Sequence, residues 1–310
     1  MSQQGANVRV ERMPFTVYDI IGYLAPGLLT LVFILALPPP LEAFSFLPSY
    51  TELRDGIGAY GATEKIIFAV ILLIFSYLIG HLISFLSSIT IERFLVIWEG
   101  YPSAWAFRNY LKANWFELAY TSQKKITEDS GQAENNSLLS SIREAQSFTS
   151  FTLLHVFLLP LTVGFIASAV IGARRSVIKP LPDSIIIDAL FHTDQIGAPI
   201  KSKTIGTANV GDWFKWANAY VINTNNIAFL RMYNYLTLYG FMRSTVFVFN
   251  LVSWNVIITH LNTTPSPEAV VQDGLVISCV AITTISFLSY IKFYRRYTEE
   301  AIYALHNCRN

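Results

Sequence analysis

Five long runs of apolar residues divide the chain, and polar stretches separate them. The runs cover residues 20–37, 66–89, 148–172, 244–260 and 274–291. A helix rises about 1.5 Å per residue, so about 18 to 20 residues cross the hydrocarbon core of a bilayer. The pattern therefore predicts an all-α integral membrane protein, with four to five transmembrane or re-entrant helices and a helical cytoplasmic part.

Two of these runs contain residues that bend helices. Pro26 and Gly27 lie in the first run, and Pro160 and Gly164 lie in the third. Proline removes a backbone hydrogen bond and clashes with the preceding turn, so both runs are expected to bend. The first run resembles a secretory signal peptide in length, but no small-residue cleavage site follows it. We therefore interpret it as a retained membrane helix.

Lysine and arginine near the helix ends predict the orientation, because cytoplasmic loops carry an excess of them. Residues 90–147 contain six basic residues, whereas residues 261–273 contain none. We expect 90–147 and both termini in the cytoplasm, and residues 38–65 and 261–273 on the other side.

The third run conflicts with this orientation. It starts on the cytoplasmic side, yet Arg174 and Arg175 follow it directly. A plain crossing would place these charges outside and would invert the last two helices. Four full crossings with a re-entrant 148–172 segment, bent at Pro160 and Gly164, remove the conflict. Five true crossings are the alternative, since the basic-residue rule is weaker for long loops.

The runs divide the chain into five segments. Residues 1–91 hold two N-terminal membrane helices, 92–147 form a cytoplasmic insert, and 148–172 form the re-entrant or membrane helix. Residues 173–243 form a cytoplasmic helical segment. Residues 244–310 hold two C-terminal membrane helices with a cytoplasmic helical extension.

Helical spacing continues beyond the last two membrane runs. Trp213, Trp216 and Tyr220 recur at i, i+3 and i+7, so a helix over 212–243 is expected to continue into the fourth membrane helix. No proline or glycine interrupts residues 275–305. The fifth membrane helix is therefore expected to project into the cytoplasm.

The second run carries a polar face. Tyr77, His81, Ser84 and Ser88 recur at i, i+4, i+7 and i+11, which places them on one side of a helix. Polar groups in a membrane helix face protein or water rather than lipid. Tight packing against a neighbouring helix is the preferred interpretation. A hydrophilic pathway with His81 as its titratable element is the alternative.

Further polar residues lie in the fourth run and at the helix ends. Asn250 and Ser253 are expected to form hydrogen bonds between helices. Basic residues at the ends are predicted to anchor the chain at the interface between membrane and water. They are Arg93, Arg174, Arg175, Arg243, Lys292, Arg295 and Arg296.

The composition agrees with a membrane protein. Charged residues make up 14% of the chain and its mean hydropathy is +0.42, whereas soluble domains average about 25% charged residues. The net charge of +1 gives no general attraction to nucleic acid. Cys279 and Cys308 show no paired spacing, and Asp188, His192 and Asp194 lack a firm ligand spacing, so no metal site is predicted.

The sequence contains no phosphate-binding loop, no GxGxxG after a strand, no GxSxG and no HExxH. This argues against the common nucleotide-binding and hydrolase families. We therefore predict no catalytic residue and no cofactor, and a non-enzymatic role is favoured.

Four stretches together resemble a group of uncharacterised bacterial integral membrane proteins. They are YDIIGYLAPG at 18–27, GHLIS at 80–84 with Glu92 and Arg93 after it, LYGFMR at 238–243, and FYRRYT at 293–298. The resemblance implies two N-terminal membrane helices, a cytoplasmic helical insert, two more membrane helices and a basic, aromatic tail. It leaves most of 95–210 unmatched and implies no activity.

Three functional hypotheses remain open. The preferred one is a homo-oligomeric membrane component that couples a cytoplasmic partner- or signal-binding part to an anchor or pore, as a bacterial stress or antiviral effector would. The second is a transporter or membrane-embedded enzyme for a small or lipid substrate, using the polar face of the second helix. The third is a passive scaffold that recruits a cytoplasmic protein. Each places the chain in the bacterial inner (cytoplasmic) membrane, in contact with lipid.

Overall fold

The computed structural model describes residues 19–36, 58, 61–113, 151–198, 205, 210–262 and 269–307. Across these ranges all regular structure is helical, which confirms the predicted all-α class. Three helical stretches are long and apolar enough to cross a membrane, namely Ala62–Ala106, Ile227–Asn262 and Asp273–Asn307. A bent pair of helices is a fourth candidate, and a shorter apolar helix covers Ile20–Leu35.

The first apolar run begins with a widened helical turn. Residues Ile20–Leu24 form a π-helical turn, closed by a hydrogen bond from the N–H of Ala25 to the carbonyl of Ile20. Helix α1 (Ala25–Ala36) continues from it. Pro26 has no N–H to donate, and the wider turn before it accommodates the missing bond. The bend expected at Pro26 and Gly27 stays a prediction.

The second run forms α2 (Ala62–Ser87). A π-helical turn, Ser88–Glu92, and helix α3 (Arg93–Glu99) follow it without a break. The helix ends at Gly100, whose φ of +77° suits a residue without a Cβ. The second membrane helix thus continues through residue 92, where the sequence suggested that the insert begins.

The third run is bent, as expected. After α4 (Pro102–Ala106) and α5 (Arg108–Ala113), the described chain resumes with α6 (Phe151–Phe157), α7 (Leu159–Val170) and α8 (Ala173–Val177). Helices α6 and α7 meet at 84°. The bend lies at Leu158, just before Pro160, where the proline removes a helical hydrogen bond. The bend predicted at Gly164 is wrong, because that residue lies inside α7. Residues 114–150 lie outside the described ranges.

Four further helices complete the described chain: α9 (Asp183–Gln195), α10 (Val210–Thr224), α11 (Asn226–Asn262) and α12 (Ala269–Asn307). The continuous helix expected from 212 into the fourth run is interrupted at Asn225. The side-chain oxygen of Asn225 accepts a hydrogen bond from the N–H of Ala228 at 3.0 Å and caps α11. Helix α12 spans 39 residues, which confirms the predicted extension of the fifth membrane helix.

Buried apolar side chains form two clusters. The membrane cluster includes Phe94, Leu158, Phe165, Val252 and Phe287. The lobe cluster includes Phe107, Ile186, Trp213, Met232 and Leu305. Helices α11 and α12 contribute residues to both clusters, so the two helices join the bundle of candidate membrane helices to a helical lobe.

The outer surface around the membrane cluster is apolar. Large aliphatic and aromatic side chains along α2 are exposed, and Val170 and Ile171 at the end of α7 are 83% and 78% exposed. Soluble monomers rarely expose contiguous apolar surfaces of this extent. The exposed members on α2 are Ile66, Ile67, Val70, Ile71, Leu73, Ile74, Phe75, Leu78, Leu82 and Phe85. Such a surface suits contact with lipid chains.

Candidate functional site: a polar junction between two apolar clusters

An ion pair lies at the boundary between the membrane cluster and the lobe cluster. Arg243 of α11 donates from Nη1 to Oε2 of Glu92 at 2.8 Å, and its side chain is only 11% exposed. Glu92 ends the π-helical turn after α2, which adds a residue to the turn and shifts the following side chains around the helix. Removing either partner would leave an uncompensated charge in a poorly hydrated place.

Tyrosines of α11 and α12 surround this pair. The rings of Tyr239 and Tyr294 stack at 4.9 Å and 15°, and the guanidinium of Arg243 lies 5.9 Å from the centre of the Tyr239 ring. Tyr290 is fully buried. Within the described part of the chain, its hydroxyl and Nε of Arg243 have no hydrogen-bond partner. The junction therefore holds polar atoms that are only partly satisfied, which is costly in a packed interior.

Two further glutamates pair with arginines that the sequence predicts as anchors. Glu99, whose side chain is 2% exposed, forms an ion pair with Arg174. Glu299, at 4% exposed, accepts a hydrogen bond from Nε of Arg295 at 2.6 Å. Arg295 also donates to the carbonyl of Val177 at 2.8 Å. The chain that follows α7 is thus tied both to α3 and to α12.

The predicted anchors therefore divide into two groups. The exposed group suits headgroup contacts and consists of Arg93, Arg175, Lys292 and Arg296, the last of which also reaches Glu299. The other three are engaged with glutamates inside the protein. The i, i+4 spacing of Arg295 and Glu299 predicts their pair from the sequence. The partners of Arg174 and Arg243 were missed, because they are distant in the sequence: Glu92 and Arg243 are separated by 151 positions. The i, i+7 spacing of Glu92 and Glu99 at the end of an apolar run was the available signal.

The bend in the third run is held by two donors from α11. Nδ2 of Asn250 donates to the carbonyl oxygen of Phe157 at 3.0 Å, and Nε1 of Trp254 donates to the same oxygen at 2.7 Å. A helix end leaves its last carbonyls without intrahelical partners, and these two donors supply them here. Asn250 is fully buried, so the hydrogen bond expected between helices is present.

Residues on both sides of the bend contact neighbouring residues of α3. Nε1 of Trp98 donates to Nε2 of His155 at 2.9 Å, and Nδ1 of His155 donates to the carbonyl of Phe151 at 2.8 Å. At the other end, Arg174 pairs with Glu99. Adjacent residues of α3 therefore hold both α6, three residues before the bend, and the helix that follows α7.

Helix α12 receives close contacts from both α7 and α11. A Cβ on Gly164 would lie 1.8 Å from Oγ1 of Thr284, so a larger residue there would require the Thr284 side chain to move. Oγ of Ser253 lies 3.4 Å from Oγ1 of Thr283 and also donates to a carbonyl of its own helix. Ser253 thus makes the contact between helices that the sequence predicts.

The polar side of α2 contains a packing seam against α1. Ser76 and Ser87 are fully buried, and Gly80 is buried as well. A Cβ on Gly80 would lie 1.8 Å from the carbonyl oxygen of Tyr23, and one on Gly27 would lie 1.7 Å from that of Ser76. The two helices therefore cross in backbone contact, the role that small residues commonly have between membrane helices.

The four residues predicted as the polar face lie beside this seam. Tyr77, Ser84 and Ser88 are half-buried, and His81 is exposed. The imidazole stacks on the ring of Tyr23 at 3.9 Å and 21°, and it meets the ring of Tyr77 edge-on at 4.5 Å. His81 thus lies beside the crossing of α1 and α2, on the outer surface of the bundle.

The lobe offers a small polar cleft. It has a volume of about 350 Å³, lies where α11 begins and α12 ends, and is lined by Arg231, Glu300, Tyr303 and Asn307 among others. Arg231 and Glu300 face each other at 3.8 Å. Over the ranges that the structure describes, no group of three or more His, Cys, Asp or Glu side chains could hold a metal ion.

Comparisons with protein-family models, with curated proteins and with solved structures found no match to this chain. The roles of the junction, the bend and the α2 face therefore follow from their own geometry. Ion pairs and stacked rings between two packed clusters suit mechanical coupling between parts of a protein.

Proposed function

We propose that this chain is a non-enzymatic integral membrane protein whose cytoplasmic helical lobe controls the arrangement of its membrane bundle. One observation carries the proposal: α11 and α12 each bury side chains in both clusters and are continuous for 37 and 39 residues. A rigid helix that is packed at both ends transmits a displacement from one end to the other. The lobe is then the sensing or partner-binding part, and the bundle is the anchor or pore.

The proposed topology has four crossings, with α6 and α7 as a re-entrant hairpin and both termini in the cytoplasm. It is supported by the contacts of both hairpin arms with Trp98 and Glu99, and by the basic residues that follow the hairpin. Ile20–Leu35 is short for a crossing at about 24 Å, a mismatch that local thinning of the bilayer accommodates. The proposed location is the inner membrane of a bacterium, in line with the sequence resemblance.

In this proposal the hairpin is the responsive membrane element. Its C-terminal end is tied to α12 through Arg295 and the carbonyl of Val177, and its apex is tied to α11 through Asn250 and Trp254. A shift of α11 relative to α12 in the lobe would therefore displace the apex of the hairpin relative to its C-terminal end. Irregular backbone at membrane depth is tolerated where protein or a water-filled cavity surrounds it.

The polar cleft of the lobe is the proposed contact point for a cytoplasmic signal. It lies between the first turn of α11 and the last turns of α12, so an occupant would bias the spacing of the two coupling helices. Arg231 is 65% exposed there and remains accessible to an anionic group.

A flux measurement tests directly whether the lobe controls the membrane bundle. The full chain is reconstituted into phosphatidylethanolamine and phosphatidylglycerol vesicles loaded with a self-quenching dye. Trp213 is fully buried in the lobe and packs edge-on against Phe107 at 5.1 Å, so Trp213→Ala loosens the lobe. We expect this variant to change dye release several-fold at equal protein insertion. Ile222→Ala, at a surface position of α10 that is 37% exposed, should match the wild type.

The proposal of a controlled, permeable bundle fails if wild type and Trp213→Ala both release dye no faster than protein-free vesicles. It also fails if Ile222→Ala changes release as much as Trp213→Ala does, since general loss of stability would then explain both.

A further inference from the structure

We propose that the surface of α1 and α2 formed by Tyr23, Tyr77 and His81 is where two copies of this chain associate within the membrane. We call this surface the His81 patch. The inference rests on the proposed membrane location and names the surface that an oligomer would use.

His81 lies deep within an apolar run, where an imidazole that faces lipid is unfavourable and a partner would shield it. The residue lies eight positions before Ile89 and fifteen after Ile66 in an apolar run, or about 12 Å and 22 Å from its ends. Leu78 and Leu82, which flank it, are exposed. In the proposed topology, the patch faces the hydrocarbon core, where polar side chains avoid lipid and turn to protein or water.

The chain itself leaves the imidazole incompletely covered. Tyr23 covers one face of the ring and Tyr77 meets it edge-on, yet His81 remains exposed. The contacts seen for the imidazole within the described residues are those with the two tyrosine rings. A neutral imidazole offers one donor and one acceptor, and both are more stable when paired in an apolar medium.

A second copy of the chain can supply a hydrogen-bond partner for the imidazole. Around a two-fold axis, each imidazole meets the same patch on its partner, where one imidazole can donate a hydrogen bond that the other accepts. The stacking of His81 on Tyr23 fixes the ring before association, which lowers the cost of ordering it. Of the three candidate spans, the one that contains α2 buries the smallest share of the residues in its most apolar stretch, so a second helix has room to pack there.

Disulfide cross-linking in native membranes tests this surface. The background is Cys279→Ser with Cys308→Ser, which removes both cysteines of the chain. Ile74→Cys lies seven residues before His81 and on the same face, whereas Phe75→Cys lies at the same depth about 100° further around the helix. The two side chains are 55% and 58% exposed, so they form a matched pair.

We expect Ile74→Cys to give a dimer band at least about threefold stronger than Phe75→Cys, because only the former faces the partner. Adding His81→Phe should reduce the Ile74→Cys band several-fold. Phenylalanine retains a ring for Tyr23 but has no nitrogen to donate or accept. Equal bands from the two cysteines, a stronger band from Phe75→Cys, or an unchanged band with His81→Phe would each overturn the proposal.

The membrane fraction is analysed in the same samples, so that two failures are distinguishable. If the chain is absent from the carbonate-resistant membrane pellet, the proposed membrane function fails. If the chain is in the pellet and the cross-linking pattern is not the expected one, only the His81 patch fails as the interface.

Discussion

At the scale of single residues, atoms that cannot move set the tightest constraints. A Cβ on Gly27 or Gly80 would meet a backbone carbonyl of the opposite helix at 1.7 or 1.8 Å. Gly164 differs, because the atom in its way belongs to the side chain of Thr284, which can change rotamer. Substitution of Gly164 is therefore expected to be tolerated better than substitution of Gly27 or Gly80.

Gly80→Ala is expected to push α1 away from α2 and to destabilise the fold by about 1 to 3 kcal/mol, as overpacking of a close contact does. Gly274→Ala is the matched control, since Gly274 also lies in a helix and a Cβ added there would have no atom within 4 Å. It should leave stability unchanged or raise it by about 0.5 to 1 kcal/mol. Thermal unfolding in detergent measures both, and equal midpoints for Gly80→Ala and wild type would contradict the close crossing.

The ion pair between Glu92 and Arg243 belongs to the same scale. Arg243→Met leaves the carboxylate of Glu92 without its partner and is expected to cost about 2 to 3 kcal/mol, somewhat below the range for fully buried pairs, since Glu92 is 28% exposed. Glu92→Met with Arg243→Met removes both charges and should cost less than the sum of the single changes. A double-mutant cycle by equilibrium unfolding measures this coupling. Lys292→Met, at an exposed position, is the control and should change stability by less than about 0.5 kcal/mol. If the effects of Glu92→Met and Arg243→Met simply add in the double variant, the ion pair makes no contribution.

At the scale of elements, the bend between α6 and α7 is held at one backbone oxygen. The carbonyl of Phe157 lies at the break between α6 and α7, and both Asn250 and Trp254 donate to it. Either donor alone satisfies the oxygen, so the loss of one hydrogen bond still leaves the carbonyl paired. The bend at Leu158 is therefore stabilised by the fourth membrane run rather than by the hairpin sequence alone.

Asn250→Leu and Trp254→Phe are each expected to cost about 1 kcal/mol, the net value of one hydrogen bond. The double variant should cost more than their sum, because the carbonyl then has no donor in an apolar interior. Ser253→Ala is the control, since its hydroxyl mainly bonds within its own helix at 2.8 Å. Unfolding in detergent provides the comparison, and a purely additive double variant would show that the two donors do not share an acceptor.

The elements that could be predicted from the sequence are those with local causes. The apolar length of α2, α11 and α12 and the proline-induced bend near Pro160 depend on neighbouring residues alone. The break at Asn225 was missed because the helical spacing on both sides continues, and only the cap at Ala228 shows that a new helix begins. The Glu92–Arg243 pair was missed because it depends on how distant helices pack.

At the scale of the whole molecule, the chain consists of two apolar clusters on a shared pair of helices, with a polar junction between them. The membrane cluster has an apolar outer surface, whereas the lobe cluster carries the polar cleft. In the proposed four-crossing topology, the lobe, the junction and the base of the re-entrant segment lie at one face of the membrane.

Site-specific cysteine labelling tests the central claim, a four-crossing topology with a re-entrant hairpin, most directly. Single cysteines replace Asn262, Ile171 and Asn307 in the cysteine-free chain, and intact cells are treated with a membrane-impermeant maleimide. Asn262 ends α11, Ile171 follows α7 and is 78% exposed, and Asn307 ends α12. The account requires labelling at 262 in intact cells, and labelling at 171 and 307 only after permeabilisation. Labelling at 171 in intact cells, or equal labelling at all three positions, would contradict it.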